Sequence, residues 1–360
     1  MTELMSRYPY CHSVAEIDRS VLRDNARYLH RNLAPGVGSI AVIKANAYGH
    51  GAVTVARALT DIYDMYAVAT VAEAVELRDA GVRHPILVFG VPLAGTAKAY
   101  VEYDLSAVVS SPDHFDLLQP GTSYHVEIDS GMGRLGIYPA GMAEIRERIR
   151  ARKEITCRGI MTHFSTADEQ GSDHLLHQKK VLSEICDFFR DDFPVHAANS
   201  AASLAHPDTH LDMVRHGIAL YGYDPTQVSS GELRPVMRWK SWIAQCKPVR
   251  KGQPLSYGAV WQAPEDGCYA VVPVGYADGY RRGLSGRIPV LVEGKWYPQV
   301  GTVTMDYVMA WLGQDSYPTG TEVVIMGAER NHAGIWAEAL NTIPYEICTG
   351  IHPKVPRITV

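Results

Sequence analysis

The chain has 360 residues, 46% hydrophobic and 20% charged, a composition that supports a packed globular protein and argues against intrinsic disorder. A formal net charge of -5 argues against a nucleic-acid surface, and no run approaches the roughly 20 apolar residues of a membrane span. Six scattered cysteines without a C-x-x-C pair, and an N-terminal MTELMSRYPYCHSVAE without a signal-peptide apolar core, make the expectation a cytoplasmic chain with neither disulfide framework nor bound metal.

From about residue 14 to 225, eight β-rich runs alternate with helix-like stretches. The runs are SIAVIKA, MYAVAT, PILVFG, LSAVVS, TSYHVEID, CRGIMTHFS, VHAANS and LDMVRHGIALYG. Between them lie amphipathic segments such as AVTVARALTDI, VAEAVELRDAG and SDHLLHQKKVLSEICDFF, several punctuated by Gly or Pro. Strands that are apolar throughout need cover on both faces, so the pattern predicts an α/β fold, a closed (β/α)8 TIM-type barrel over residues 12–235. An open doubly wound sheet is the competing architecture. The one basic cluster, RERIRARK at 146–153, reads as the solvated face of a helix. Beyond residue 235 the texture becomes strand-rich with Gly and Pro turns, which predicts a mostly antiparallel β domain over 236–360, accompanied by residues 1–11.

A barrel gathers its chemistry at the C-terminal ends of its strands. Lys44 ends the first run, within AVIKANAYGHG (41–51); Asp129 and Arg134 follow the fifth; His163 ends the sixth, Asn199 and Ser200 the seventh; Arg215 lies in the eighth. Taken alone, Lys44 reads as a snorkelling side chain and His163 as a structural histidine. Together these residues form a cationic mouth with small-residue backbone for a phosphate and a lysine able to form an imine. A phosphate-bearing aldehyde such as pyridoxal phosphate fits all three features.

AVIKANAYGHG closely resembles the pyridoxal-phosphate attachment motif of alanine racemases. Further matches follow in that family's order across nearly the whole chain: DSGMGRLG (129–136), THFSTAD (162–168), NSAA (199–202), VRHGIALYG (214–222), SYGAVW (256–261), GYADGY (275–280), TVTMD (302–306) and YEI (345–347). The resemblance implies a barrel plus a β domain, working as a homodimer with shared active sites. It implies that Lys44 carries pyridoxal 5'-phosphate as an imine and is the base for D-alanine, with Tyr257 of the partner subunit the base for L-alanine. Tyr48, Ser200, Tyr345, Gly217 and Ile218 would hold the phosphate beside Asn199. His163 would pack on the ring, and Arg215 would hydrogen-bond the pyridine nitrogen. Arg134 and Met305, with Asp306 beside it, would orient substrate, and Tyr276 would line the entrance from the partner. The activity implied is interconversion of L- and D-alanine, supplying D-alanine for peptidoglycan.

The chain also departs from the family pattern. Glu127 stands where many members have a lysine that becomes carbamylated, and it is expected to supply a negative charge for Arg134 directly. His216 stands where Pro is usual, and Thr302, Thr304 and Tyr307 replace common residues. These changes bear on entrance shape and selectivity, so a serine or broad-specificity racemase is an alternative. A non-catalytic pyridoxal-phosphate carrier is a distant one, opposed by residues 236–360, for which a carrier has no use. Gly131, Gly133 and Gly136 have the spacing of a dinucleotide fingerprint, but the following helix is expected only after Pro139, so they would not seat a pyrophosphate.

Overall fold

The runs expected to be covered on both faces form eight short parallel strands. Counted along the chain after Val14–Ile17 (β1), they are Gly38–Val42 (β2), Met65–Val68 (β3), Ile86–Val88 (β4), Leu105–Val109 (β5), Ser123–Glu127 (β6), Thr156–Met161 (β7), Val195–His196 (β8) and Met213–His216 (β9). The computed structural model, which describes residues 10–229 and 231–360, closes β2 to β9 into a barrel in sequence order, with β9 returning to β2 through the register Ile40↔Arg215. Every residue of β4 and β5 is buried, as strands sandwiched between a barrel interior and a helical layer require. The helix Asp173–Phe189 shows how that layer is built. Ser172 accepts the Leu175 N–H at its start, and Leu175, Gln178, Val181, Leu182, Ile185 and Phe189 recur at three- and four-residue spacing on its buried face. The expected basic helix spans Met142–Ala151 after a 3-10 turn beginning at Pro139, and its arginines pair with Glu144, Glu147 and Asp192.

The chain divides into two units, and the barrel occupies Leu22–Ala47 and Gly51–Arg234. The barrel unit therefore starts later than residue 12. The reason is β1, which pairs antiparallel with Met237–Trp242 (β10) and so belongs to the second unit. That unit also contains Gln245–Val249 (β11), Pro254–Leu255 (β12), Trp261–Gln262 (β13), Gly267–Val272 (β14), Pro289–Val292 (β15), Lys295–Val300 (β16), Val308–Gly313 (β17), Glu322–Met326 (β18) and Arg357–Thr359 (β19). Its nine-stranded sheet runs β11-β14-β17-β16-β15-β18-β10-β1-β19, antiparallel except for the β1–β19 pair, and β12 and β13 form a separate ribbon. Two helices in it, Ala333–Leu340 and Pro344–Thr349, are not signalled by helical periodicity. Residues 1–9, expected to accompany this unit, lie outside the described residues. Among the described residues no helix is long and apolar enough to cross a membrane.

Candidate active site

Period-two alternation decides which side chains enter the barrel. On β6, Tyr124 packs edge-on against Phe115 of the helical layer at 5.5 Å, so His125 and Glu127 turn inward. On β9 the same rule turns Arg215 inward and His216 outward. The interior is consequently polar. His125 Nδ1 lies 2.9 Å from His196 Nε2, and His196 Nδ1 lies 2.8 Å from Arg215 Nη1. Arg215 Nη2 donates to the carbonyls of Thr162 (2.7 Å) and Ala197 (2.9 Å) and lies 3.1 Å from His163 Nδ1. Because the guanidinium always donates, His196 Nδ1 and His163 Nδ1 must accept, which fixes both rings as neutral Nε2–H tautomers. Burial, reinforced by Arg215, holds His196 and His163 well below the usual histidine range and His125 down to about 4. Burial also lowers Arg215 to about 10, so it stays cationic at neutral pH.

Lys44 follows β2 and emerges at the barrel mouth, 5.9 Å from the centre of the Phe89 ring. Its proton affinity is lowered, first by burial and then by Arg134 and Arg215, while Glu73 opposes the shift. The four residues after it, Ala45, Asn46, Ala47 and Tyr48, all lie at φ between 51° and 54°, a left-handed turn without glycine. At about 1–2 kcal/mol per residue this conformation needs outside support. Glu73 supplies part of it. Its Oε1 accepts the Ala45 N–H at 2.6 Å, while Oε2 accepts those of Ala69 and Thr70 and closes a capping box on the helix Val71–Asp79. Asn46 Oδ1 accepts the Ala52 N–H at 2.8 Å. Glu73 was absent from the expected site, and the only sequence signal for it is Thr70 three residues ahead, the spacing of a cap.

Arg134 rides on the loop after β6, which folds back so that Asp129 N–H reaches the Ile137 carbonyl at 2.9 Å and Ile137 N–H reaches that of Glu127 at 2.9 Å. Asp129 Oδ1 accepts the N–H groups of Gly131 and Gly133. Gly136 has a left-handed φ of 112°, and a Cβ there would sit 2.7 Å from Asp129 N. These glycines shape a hairpin-like loop and do not open a helix. Glu127 is buried, and Ser110 Oγ donates to its Oε2 at 3.1 Å. Burial raises its proton affinity, partly offset by that hydrogen bond and by the charges of Arg134 and Arg215. Among the described residues it forms no ion pair, so the charge of exposed Arg134 acts on it through space and not by contact.

Ser200 Oγ accepts the N–H of Gly217 at 2.8 Å and of Ala219 at 3.3 Å, which leaves its own hydrogen to donate. Asn199, expected beside the phosphate, uses its side chain within the protein. Its Oδ1 caps the helix Ser200–Ala205 through Ala202 N–H, and its Nδ2 donates to the Phe164 carbonyl, so it joins two loops of the mouth. Gln178, buried and also unanticipated, donates to Ser130 Oγ and to the His163 carbonyl and steadies the same rim.

The remaining expected residues belong to the second unit. Tyr257 sits on a tight turn where Ser256, Gly258 and Ala259 all have positive φ, and its side chain is 71% exposed. Thr302 Oγ1 donates to the Tyr257 carbonyl at 2.9 Å. Tyr276 N–H reaches the Thr304 carbonyl at 3.1 Å and Ala277 N–H that of Met305 at 3.0 Å. Thus the segment 302–306, including exposed Asp306, ties the Tyr257 and Tyr276 turns together. Tyr48 is buried with its ring 5.8 Å from that of Tyr345, and burial pushes its phenol up. Among the described residues no group of three His, Cys, Asp or Glu side chains is placed to hold a metal.

Comparison with known proteins agrees with this architecture. The family model for the alanine racemase N-terminal domain matches residues 17–225, and that for the C-terminal domain matches residues 236–359. The chain is 37% identical to the alanine racemase of Geobacter sulfurreducens, covering 96% of each chain, and 35% identical to that of Streptococcus equi subsp. equi, covering 96% of this chain and 97% of the relative. The solved alanine racemase of Clostridium difficile 630 superposes with a TM-score of 0.91 at 34% identity, covering 97% of this chain and 96% of that one. The Bacillus anthracis alanine racemase with bound L-Ala-P gives 0.89 at 34% identity, covering 98% and 95%.

Proposed function

The chain belongs to the alanine racemase family, and on that premise we propose that it interconverts L- and D-alanine, with Lys44 as one base and Tyr257 of the partner subunit as the other. The observation that carries the reading is the barrel mouth itself, where burial, Arg134 and Arg215 all push Lys44 toward its neutral amine. Only the neutral amine can condense with an aldehyde or accept a proton.

The donor set fits pyridoxal phosphate. Both terminal nitrogens of Arg215 are committed to protein acceptors, so its Nε–H is the donor left for a pyridine nitrogen. Since guanidinium keeps its proton, that ring nitrogen would receive a hydrogen bond and stay unprotonated. Ser200, already accepting two N–H groups, has its hydroxyl hydrogen to give to a phosphate oxygen, beside the backbone of Gly217 and Ile218. By family resemblance Tyr48 and Tyr345 serve the phosphate, and neutral His163 packs on the ring. When bound, pyridoxal phosphate supplies the electron sink that makes the Cα hydrogen of alanine acidic.

Racemisation removes that hydrogen from one face and returns one to the other, so two bases are needed. Lys44 Nζ moves the proton at Cα of D-alanine, and the phenol oxygen of Tyr257 of the partner subunit moves it at Cα of L-alanine. Arg134 orients the substrate, while Met305 and Tyr276 border its entrance from the partner. Exposure of Tyr257, Val260, Tyr276, Met305 and Tyr307 in one chain supports burial against a second copy. We further assign the product D-alanine to peptidoglycan supply, and Glu127 to a supporting charge. The test follows the circular-dichroism signal of L-alanine with added pyridoxal phosphate. The wild type is expected to carry it to zero, and Lys44→Ala and Tyr257→Phe each to hold it at least about a hundredfold longer. A signal unchanged with wild type would overturn the reading.

A further inference from the structure

His216 lies next to the phosphate residues and does not touch the barrel interior. It ends β9 facing outward, fully buried, and both of its ring nitrogens are bound. Nδ1 lies 2.8 Å from Tyr63 Oη and Nε2 lies 2.9 Å from Ser203 Oγ. A neutral imidazole satisfies both contacts, donating from one nitrogen and accepting at the other.

Ser203 is one turn along the helix Ser200–Ala205 from Ser200, and His216 immediately precedes Gly217. The helix and the strand end are thus stitched twice. Ser200 Oγ takes the N–H groups of Gly217 and Ala219 at the mouth, and Ser203 Oγ meets His216 one turn deeper. A third tie, His210 Nε2 to the Ser203 carbonyl at 2.8 Å, fixes the far end of the same helix. With Tyr63 behind it, the imidazole cannot rotate without breaking a buried hydrogen bond.

We propose that His216 is a positioning residue for the cofactor phosphate, acting through Ser203 to hold Ser200 and the Gly217–Ile218 backbone in one fixed register. This rests on the reading above that those residues hold the phosphate. Side chains held by their own hydrogen bonds lose less freedom when a ligand arrives, so loosening the register weakens phosphate binding specifically. The aldehyde and ring would be held at Lys44 and Arg215, and the Arg215 side chain shares none of the His216, Ser203 and Tyr63 contacts.

The test titrates the protein stripped of cofactor with pyridoxal phosphate and, separately, with pyridoxal, which lacks the phosphate, reading the absorbance of the bound chromophore. Ser203→Ala is expected to weaken pyridoxal phosphate roughly five- to tenfold, the scale of one hydrogen bond, and to leave pyridoxal within about twofold of wild type. Ser203→Thr, which keeps a hydroxyl, should restore the affinity. Tyr63→Phe, which leaves the His216–Ser203 contact in place, should give a smaller loss of the same selective kind and carries the test if Ser203→Ala does not fold. Equal weakening of both compounds, or of neither, would overturn the positioning role. A wild-type protein that bound neither would instead overturn the placement of pyridoxal phosphate at this mouth.

Discussion

Glu127 and Glu73 are both carboxylates beside Lys44's end of the barrel, yet their surroundings give them opposite tasks. Glu73 takes three backbone N–H groups and works through geometry. Removing it in Glu73→Ala frees the Ala45, Ala69 and Thr70 amides and opens the capping box, leaving Thr70 as the cap. It should lower stability by about 1–2 kcal/mol and slow racemisation, as thermal melts and initial rates will show. Glu127 is proposed to work through charge: burial disfavours its ionised form, and the charges of Arg134 and Arg215 partly offset that. In Glu127→Gln the hydrogen bond from Ser110 can survive and a buried charge disappears. The melting temperature is therefore expected not to fall, while kcat/KM drops about tenfold as the cationic mouth loses its counter-charge. Unchanged kcat/KM would reduce Glu127 to a packing residue.

The buried histidines of the barrel strands set the pH response. An unfolded histidine titrates near 6.5, whereas burial holds His125 on β6 down to about 4, and burial with His30 and His210 holds His216 on β9 down to about 3. Below pH 6.5 the unfolded chain binds more protons than the folded one, so stability is full above that value and is lost as pH falls toward 4. The loss is on the order of 1 kcal/mol per pH unit for each histidine, and the melting temperature should fall clearly between about pH 7 and pH 5. A flat profile would mean that these rings are protonated in the fold. The loop after β6 makes a second prediction. Gly136→Ala forces a side chain into a left-handed φ and against Asp129, so it should cost about 1–3 kcal/mol and raise KM by displacing Arg134.

The same elements show what a reader of the sequence can and cannot see. Strands β2 to β9 were legible because apolar residues on both faces leave few alternatives, and the positions of Lys44, His163, Ser200 and Arg215 in or just after those strands could be read from the same pattern. The left-handed turn after Lys44 was not, since Ala, Asn, Ala and Tyr carry no glycine to announce it and only tertiary contacts such as Glu73 hold it. Val14–Ile17 was missed as a sheet strand because its partners, β10 and β19, lie more than 200 residues away. The helix Ala333–Leu340 was missed because AGIWAEAL is apolar on nearly all sides and shows no stripe. Asn199 was recognised as important but its side chain builds the rim.

At the scale of the whole molecule, the barrel unit holds one proposed base and the sheet unit presents the other on an exposed turn. A homodimer in which each barrel mouth receives Tyr257 of the partner subunit accounts for that division, because isologous pairing makes the two sites equivalent. The most direct measurement mixes two inactive chains, Lys44→Ala and Tyr257→Phe, by co-expression, and follows loss of the L-alanine optical signal with added pyridoxal phosphate. Random pairing makes about half the dimers mixed, each with one intact and one doubly altered site, so the account predicts about a quarter of wild-type activity from two dead parents. Activity no higher than that of the parents would contradict it, and would place both bases within a single chain.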